Sequence, residues 1–312
     1  MIQQKILTIM GPTASGKTSL CVEIAQRIDG EVIGLDSRQI YKGLHIGTAQ
    51  PTSYEMKGIP HHLFGFQDPS KPISAGQYAD HVKEKCQQIL SKGKTPILCG
   101  GAGLYFRALT KGIFVGSVSD LPLRGRLEQA YEDDPVLLYE RLQLIDPDYS
   151  EIVHMNNKKR LVRALEIFEA TGIPPSVHFS RQGIQESDTL PVFSFLLTLD
   201  RQTLISRIEK RTQEMFAQGW IDEVKLLLKQ QDDLDEVFPA LNSIGYQQIQ
   251  SYLSGDISYN DMVEDIVIRT RQYARRQMQW FRKEPMDVSI VLDHLDRTIL
   301  PEIIHDLYNH CQ

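Results

Sequence analysis

A chain of 312 residues, 41% apolar and 24% charged, has the composition of an ordinary globular protein, long enough for one large domain or two. That balance excludes a disordered chain, and apolar runs as short as Phe193–Leu199 exclude a membrane-spanning helix. A formal net charge of −6 speaks against general nucleic-acid binding but leaves local basic patches open, because recognition is local. No signal-peptide pattern precedes the first strand, so a cytoplasmic protein is expected. The cysteines at 21, 86, 99 and 311 form no C-x-x-C pair and are expected to be reduced packing residues.

The run Ile6–Met10 reads as a strand and leads directly into Gly11-Pro-Thr-Ala-Ser-Gly-Lys-Thr18, a match to G-x-x-x-x-G-K-[ST] in its required setting. Glycines let the backbone curl so that successive N–H groups point inward. The following helix offers its positive end, and Lys17 and the Thr18 hydroxyl reach phosphate oxygens and Mg²⁺. Gly11, Pro12, Thr13, Ala14, Ser15, Gly16, Lys17 and Thr18 are therefore expected to hold a diphosphate or polyphosphate. A helix over Lys17–Ile28, a strand over Glu31–Leu35, a helix over Ala75–Ser91 and a strand over Thr95–Cys99 continue the rhythm of a parallel α/β sheet. Ligands in such sheets sit beyond the carboxyl ends of the strands, which should bring Gly11, Asp36 and Gly100 to one crevice. From about Ser117 the chain becomes helical and rich in Arg and Glu, with breaks at Pro122, Pro135 and Pro147, until a strand over Pro191–Asp200. The expected fold is α/β: a P-loop NTPase-like parallel core, 1–116 and 189–312, with an inserted helical subdomain, 117–188. A last strand, Val288–Leu292, and a helix after Asp296 should close the core.

Asp36, at the end of the second strand, is placed to act as a general base, with capping of the next segment as the alternative. The run Pro96-Ile-Leu-Cys-Gly-Gly-Ala-Gly-Leu-Tyr105 ends in glycines where P-loop ATPases place a Mg²⁺-binding aspartate. That absence speaks against ATP hydrolysis and for a loop closely approached by a bulky ligand. Arg207 and Arg211 lie four apart on a helix, and one of them is expected to meet a departing diphosphate, against the alternative of surface pairing with Glu. His61 and His62 are given no catalytic role. Two basic clusters stand out: Lys158, Lys159, Arg160 and Arg163, and then Arg269, Arg271, Arg275, Arg276, Arg282 and Lys283 interleaved with Tyr273, Trp280 and Phe281. Each reads either as an RNA-facing surface or as a solvated helix face.

Together with the phosphate loop, the blocks Asp36-Ser-Arg-Gln-Ile-Tyr-Lys-Gly-Leu-His-Ile-Gly-Thr-Ala49, Gly58-Ile-Pro-His-His-Leu63, Gly100-Gly-Ala-Gly-Leu-Tyr105, Arg160-Leu-Val-Arg-Ala-Leu-Glu166, Ser243-Ile-Gly-Tyr246 and Thr270-Arg-Gln-Tyr-Ala-Arg-Arg-Gln-Met-Gln-Trp-Phe281 resemble the bacterial tRNA dimethylallyltransferases, collinearly over nearly the whole chain. The resemblance implies transfer of a dimethylallyl group from dimethylallyl diphosphate to the exocyclic 6-amino group of adenosine 37 of tRNA. It implies that Lys17, Thr18, the loop amides and Arg211 hold diphosphate, with Mg²⁺ on Thr18, and that Asp36 accepts the amine proton. It places Asp36, Ser37, Arg38, Gln39, Ala102, Arg124, Lys159, Arg160, Arg163, Arg275 and Arg276 against the RNA, and implies a monomer that needs no membrane. Two departures stand out. Ala102 occupies a position usually held by threonine, and Phe64-Gly65-Phe66 separate the His-His-Leu block from Asp68. The competing readings are an adenylate isopentenyltransferase, a P-loop small-molecule kinase, and an RNA-binding protein with a decayed site.

Overall fold

Continuous apolar runs become the middle of a sheet buried on both faces. The first strand, β1 (Ile6–Met10), is buried throughout, and its one polar side chain, Thr8, donates its hydroxyl to the Ile6 carbonyl at 3.1 Å. A computed structural model describes residues 2, 4–112, 120–181 and 189–311. Within them β1 is followed by α1 (Lys17–Arg27), β2 (Gly30–Leu35), α2 (Ser53–Met56), β3 (His61–His62), α3 (Ala75–Ser91), β4 (Thr95–Gly100) and α4 (Gly103–Thr110). Then come α5 (Leu121–Asp133), α6 (Pro135–Ile145), α7 (Pro147–Ser150), α8 (Lys158–Thr171) and α9 (Pro175–Arg181), followed by β5 (Val192–Thr198), α10 (Arg201–Ala217), α11 (Trp220–Leu234), α12 (Tyr246–Leu253), α13 (Tyr259–Phe281), β6 (Val288–Val291) and α14 (Leu300–Asn309).

Among the described residues the strands form one sheet of order β3-β2-β4-β1-β5-β6. Every pairing is parallel, with Leu7 of β1 opposite Ile97 of β4 on one side and Phe193 of β5 on the other. The chain lays β2 and β3 to one side of β1, returns to insert β4 between β1 and β2, and later adds β5 and β6 on the other side. β1 therefore flanks the topological switch, and the loop that leaves it opens where α/β sheets bind ligands. One core face joins Leu7, Ile9, Phe195 and Leu197 of the sheet to Leu20 and Ile24 of α1 and to Ile304 and Tyr308 of α14.

The described chain divides into two compact units, Met1–Thr110 with Leu190–Gln312, and Lys111–Thr189. The boundaries expected at 117 and 188 fall within 113–119 and 182–188, outside the described residues. In the second unit, Leu123 and Leu127 of α5, Leu138 and Leu142 of α6 and Leu161 and Leu165 of α8 bury one another. The prolines expected as breaks turn out to be helix starts. Asp120, Asp134 and Asp146 cap α5, α6 and α7, with Pro122, Pro135 and Pro147 in the first turns. Proline suits those positions because its missing N–H has no intrahelical partner there.

The glycine run at the end of β4 is closely packed by the protein itself, which is reason enough for its glycines. A Cβ on Gly100 would lie 1.9 Å from the Leu35 carbonyl, one on Gly101 2.2 Å from the Gln277 amide, and one on Gly103 2.2 Å from the Trp280 ring. The glycines thus admit β2 and α13 against the loop. At the sheet edge, His62 Nε2 meets the buried Glu31 carboxylate at 2.7 Å and His61 Nδ1 meets the Ile59 carbonyl at 2.8 Å.

Candidate active site

Gly16 takes φ 86°, the left-handed region that glycine enters without strain, and ends the phosphate loop at the first turn of α1. The amides at the start of that helix have no intrahelical acceptors and form the anion-binding end of the loop. Lys17 folds back over it, donating Nζ to the Pro12 carbonyl at 2.6 Å and to Ser15 Oγ at 3.3 Å. Burial lowers its ammonium from 10.5 to about 8. Repulsion from Arg211 adds to the fall, while Cys99 and Asp36 oppose it. Cys99 of β4 is buried beside this group, and its interaction with Cys21 of α1, then with Lys17 and Thr18, draws its thiol below the ordinary value.

Two arginines of α10 reach the loop. Arg211 Nη1 donates to Thr13 Oγ1 at 3.3 Å, and Arg207 Nη1 to the Ser15 carbonyl at 3.4 Å. Burial pulls the Arg211 guanidinium below its ordinary value, and Asp36 is the first of the carboxylates that hold it up. The four-residue spacing was a sufficient signal for both arginines, since it puts them on one side of the helix. A third guanidinium, Arg297, arrives from the segment before α14 and donates to the Gly16 carbonyl at 3.4 Å. Nothing in its local sequence marks it.

Asp36 stands beyond β2 with one carboxylate oxygen accepting from the amides of Arg38, at 2.7 Å, and Gln39, at 3.2 Å. It therefore caps the following turn as well as facing the loop, where it acts electrostatically on Lys17 and Arg211. Tyr78, Tyr105 and Tyr273 surround it. Burial, and behind it the Asp36 carboxylate, pushes their phenols upward, and Tyr78 and Tyr105 stack at 4.3 Å. A carboxylate aimed into an aromatic crevice beside a cationic phosphate loop can take a proton from a weak nucleophile while the cations hold an anionic leaving group.

The RNA-facing expectations divide. Ser37 is half-buried, Arg38 and Arg276 are exposed and act electrostatically on Tyr273 of the crevice, Arg275 is exposed on α13, and Lys159 and Arg160 are exposed in the helical unit. Gln39 turns inward and donates Nε2 to the carbonyls of Thr48, at 3.0 Å, and Ala49, at 2.8 Å, so it braces its own loop. Arg124 and Arg163 are paired within the helical unit to the fully buried Glu166, at 2.8 and 2.7 Å. A buried carboxylate needs such partners, so both arginines hold Glu166 in the helical unit while part of each guanidinium stays exposed. The i,i+3 relation of Arg163 and Glu166 was visible in the sequence. On α13 the aromatic residues point to the protein: Phe281 is buried, and Trp280 lies against Gly103 with the Arg107 guanidinium 4.5 Å from its ring.

Ala102 precedes α4 and its carbonyl accepts the first helical bond, from the Phe106 amide at 3.0 Å, so it is the N-cap. A threonine there would cap with its hydroxyl; alanine has none to offer. Gln277, which lies inside the Thr270–Phe281 block but is given no role there, accepts from the Thr13 amide and donates to the Gly101 carbonyl, each at 2.9 Å.

No cluster of three His, Cys, Asp or Glu able to hold a metal occurs among the described residues. The Thr18 hydroxyl beside a diphosphate suits Mg²⁺, which binds through substrate phosphates and water with few protein ligands.

A glycine-rich loop at the switch point of a parallel sheet, ringed by one lysine and three arginines and faced by a carboxylate, defines a P-loop enzyme of the diphosphate-handling class. A family model described as IPP transferase matches residues 39–284. A tRNA dimethylallyltransferase of Petrotoga mobilis is 42% identical over 279 residues, covering 89% of this chain and 91% of that protein. The full-length tRNA isopentenylpyrophosphate transferase of Bacillus halodurans superposes with a TM-score of 0.70 at 33% identity, over 99% of this chain and 96% of that one. A eukaryotic dimethylallyltransferase crystallised in the course of acting on tRNA gives 0.76 at 28% identity, over 89% of this chain and 70% of its own. The chain belongs to the IPP transferase family.

Proposed function

We propose that this chain transfers the dimethylallyl group of dimethylallyl diphosphate to the exocyclic 6-amino group of adenosine 37 in tRNA, with Asp36 as the base and the P-loop as the holder of the leaving group. The carrying observation is the meeting of Asp36, Lys17 and Arg211 at one crevice, where the carboxylate acts on both cations. The allylic carbon–oxygen bond breaks and its electron pair leaves on diphosphate. The amine nitrogen forms the new carbon–nitrogen bond and its proton passes to the Asp36 carboxylate. Lys17, Arg207, Arg211 and the amides at the start of α1 stabilise the charge that collects on the departing diphosphate, where fixed cations and dipoles act most strongly. Mg²⁺ held by Thr18 would neutralise part of that charge.

The adenine must leave its stack to reach a site at this depth, and the cost is least in a loop that is already single-stranded. The exposed Arg38, Arg275 and Arg276, and Lys159 and Arg160 of the helical unit, supply the phosphate contacts that hold the anticodon arm. A tRNA substrate puts the reaction in the cytoplasm, and the reading takes the chain as a monomer. Among the described residues no helix is long and apolar enough to cross a membrane.

The test offers labelled dimethylallyl diphosphate to the protein with unmodified tRNA, with a tRNA lacking adenosine 37, or with AMP. Label in the first RNA alone is the expected result. Label in AMP would replace this reading with that of an adenylate isopentenyltransferase, and no transfer to any acceptor would remove it.

A further inference from the structure

Gln277 is the one residue of α13 seen to hydrogen-bond both the phosphate loop and the glycine loop of β4. It is 6% exposed, and its two bonds reach across 264 and 176 residues of sequence. A carboxamide is suited to this place because it can accept from an N–H with its oxygen and donate to a carbonyl with its nitrogen. Glutamate would keep only the first bond and methionine neither. Buried bonds of this kind are costly to leave unmade, so the positions of Thr13, Gly101 and α13 are tied together. Trp280, one turn further along, adds a rigid contact by lying on Gly103.

The exposed residues just before Gln277 are Arg275 and Arg276. At about 100° per residue, Arg275 lies roughly 200° around the helix from Gln277, so the inner and outer faces of one turn carry these groups. One turn of helix therefore links the exposed arginines to the bonds that hold Thr13 and Gly101. Without Gln277 the Thr13 amide and the Gly101 carbonyl would each have to find water or rearrange.

We propose that Gln277 is a positioning residue that makes diphosphate binding at the P-loop depend on RNA docked against α13. The proposal rests on the tRNA-transfer reading above. It is therefore tested on protein that has already transferred label to RNA, so that an absence of coupling in the wild type counts against the proposal and not against the activity.

Inorganic pyrophosphate with Mg²⁺ serves as the donor-site probe, and an adenosine-bearing anticodon stem-loop as the RNA. Saturating stem-loop should tighten pyrophosphate binding to the wild type by about fivefold or more, and pyrophosphate should tighten stem-loop binding by the same factor, since coupling is reciprocal. Gln277→Met should bring that factor to about one while leaving stem-loop affinity alone within about twofold. A merely structural role would weaken both ligands and leave their ratio intact.

Gln277→Glu, which keeps the bond from Thr13, should show a reduced but measurable factor. It guards against a methionine variant that fails to fold. In the wild type, stem-loop alone should slow hydrogen exchange of the backbone over residues 11–18. A factor of one in the wild type, an undiminished factor in Gln277→Met or Gln277→Glu, or exchange over 11–18 indifferent to RNA would each overturn the proposal.

Discussion

Replacing Lys17 by methionine should leave an inactive protein that is more stable than the wild type in the absence of ligand. The ammonium sits at about 8 against an ordinary 10.5, chiefly because burial strips its water, and each pKa unit is worth about 1.4 kcal/mol. Keeping that charge at neutral pH before any anion binds therefore costs about 3 kcal/mol. Methionine fills a similar volume without charge but gives up the bonds to the Pro12 carbonyl and Ser15 hydroxyl, together about 1–2 kcal/mol. A net stabilisation of about 1–2 kcal/mol at pH 7 remains. Because the folded-state value lies below the unfolded one, the unfolded chain binds the extra proton, and the wild type gains stability as pH rises from about 8 towards 10.5. The advantage of the variant should shrink across that window. Urea unfolding of both proteins at a series of pH values, with and without Mg²⁺ and pyrophosphate, measures the effect. Pyrophosphate should stabilise the wild type far more than the variant, since binding to the folded state alone is what raises stability. A Lys17→Met protein no more stable than wild type at pH 7, or a difference that does not change with pH, would refute the reasoning.

Other substitutions separate the remaining roles. Asp36→Asn still accepts from the Arg38 and Gln39 amides but cannot take a proton. Single-turnover transfer should fall by about 10²–10⁴ with RNA affinity within about twofold, and a rate like wild type would remove the base from Asp36. Ala102→Thr supplies the missing N-cap of α4 and should raise stability by about 1 kcal/mol in urea unfolding; a neutral or destabilising effect would contradict the capping geometry. Gly100→Ala must place a methyl group 1.9 Å from the Leu35 carbonyl, and should destabilise the core by about 3 kcal/mol or more, so a normal unfolding midpoint would tell against the β2–β4 contact. Removing Arg275 and Arg276 together should make the log–log salt dependence of RNA binding shallower by about 1.4, at roughly 0.7 for each single-stranded phosphate left without its arginine. An unchanged slope would return α13 to a solvated face.

The sheet was legible because its strands are short, unbroken apolar runs, and the phosphate loop because its spacing follows from the shape of a phosphate. The exception in the sheet is β3, the two residues His61 and His62, whose pairing with Val32 and Ile33 no propensity announces. The cations around the loop were legible only in part. Arg207 and Arg211 share a helix with the expected spacing, whereas Arg297 arrives across 281 residues from a segment with no pattern. Charge runs misled where a partner lay out of view. Arg163 reads as part of a basic cluster, and only the structure shows that it shares the buried Glu166 with Arg124, 42 residues before that carboxylate. On α13 the aromatic residues among the arginines pack inward while Arg269, Arg275 and Arg276 are exposed, a division that composition cannot express.

The glycines at the end of β4 and the absence of a metal-binding acid there have a single structural cause. A P-loop ATPase has space at this point for an aspartate that reaches a metal ion. Here any side chain at Gly100 would strike the Leu35 carbonyl, and one at Gly101 would strike Gln277. The space is taken by β2 at Gly100 and by α13 at Gly101 and Gly103, and α13 brings Gln277 to the loop while Arg275 and Arg276 stay exposed. A helix that carries exposed arginines and also holds the phosphate loop leaves no room for the carboxylate of an ATPase. The same close packing that fills the place of that carboxylate therefore sets exposed cations on the helix that braces the loop, an arrangement the proposed transfer between diphosphate and RNA would use.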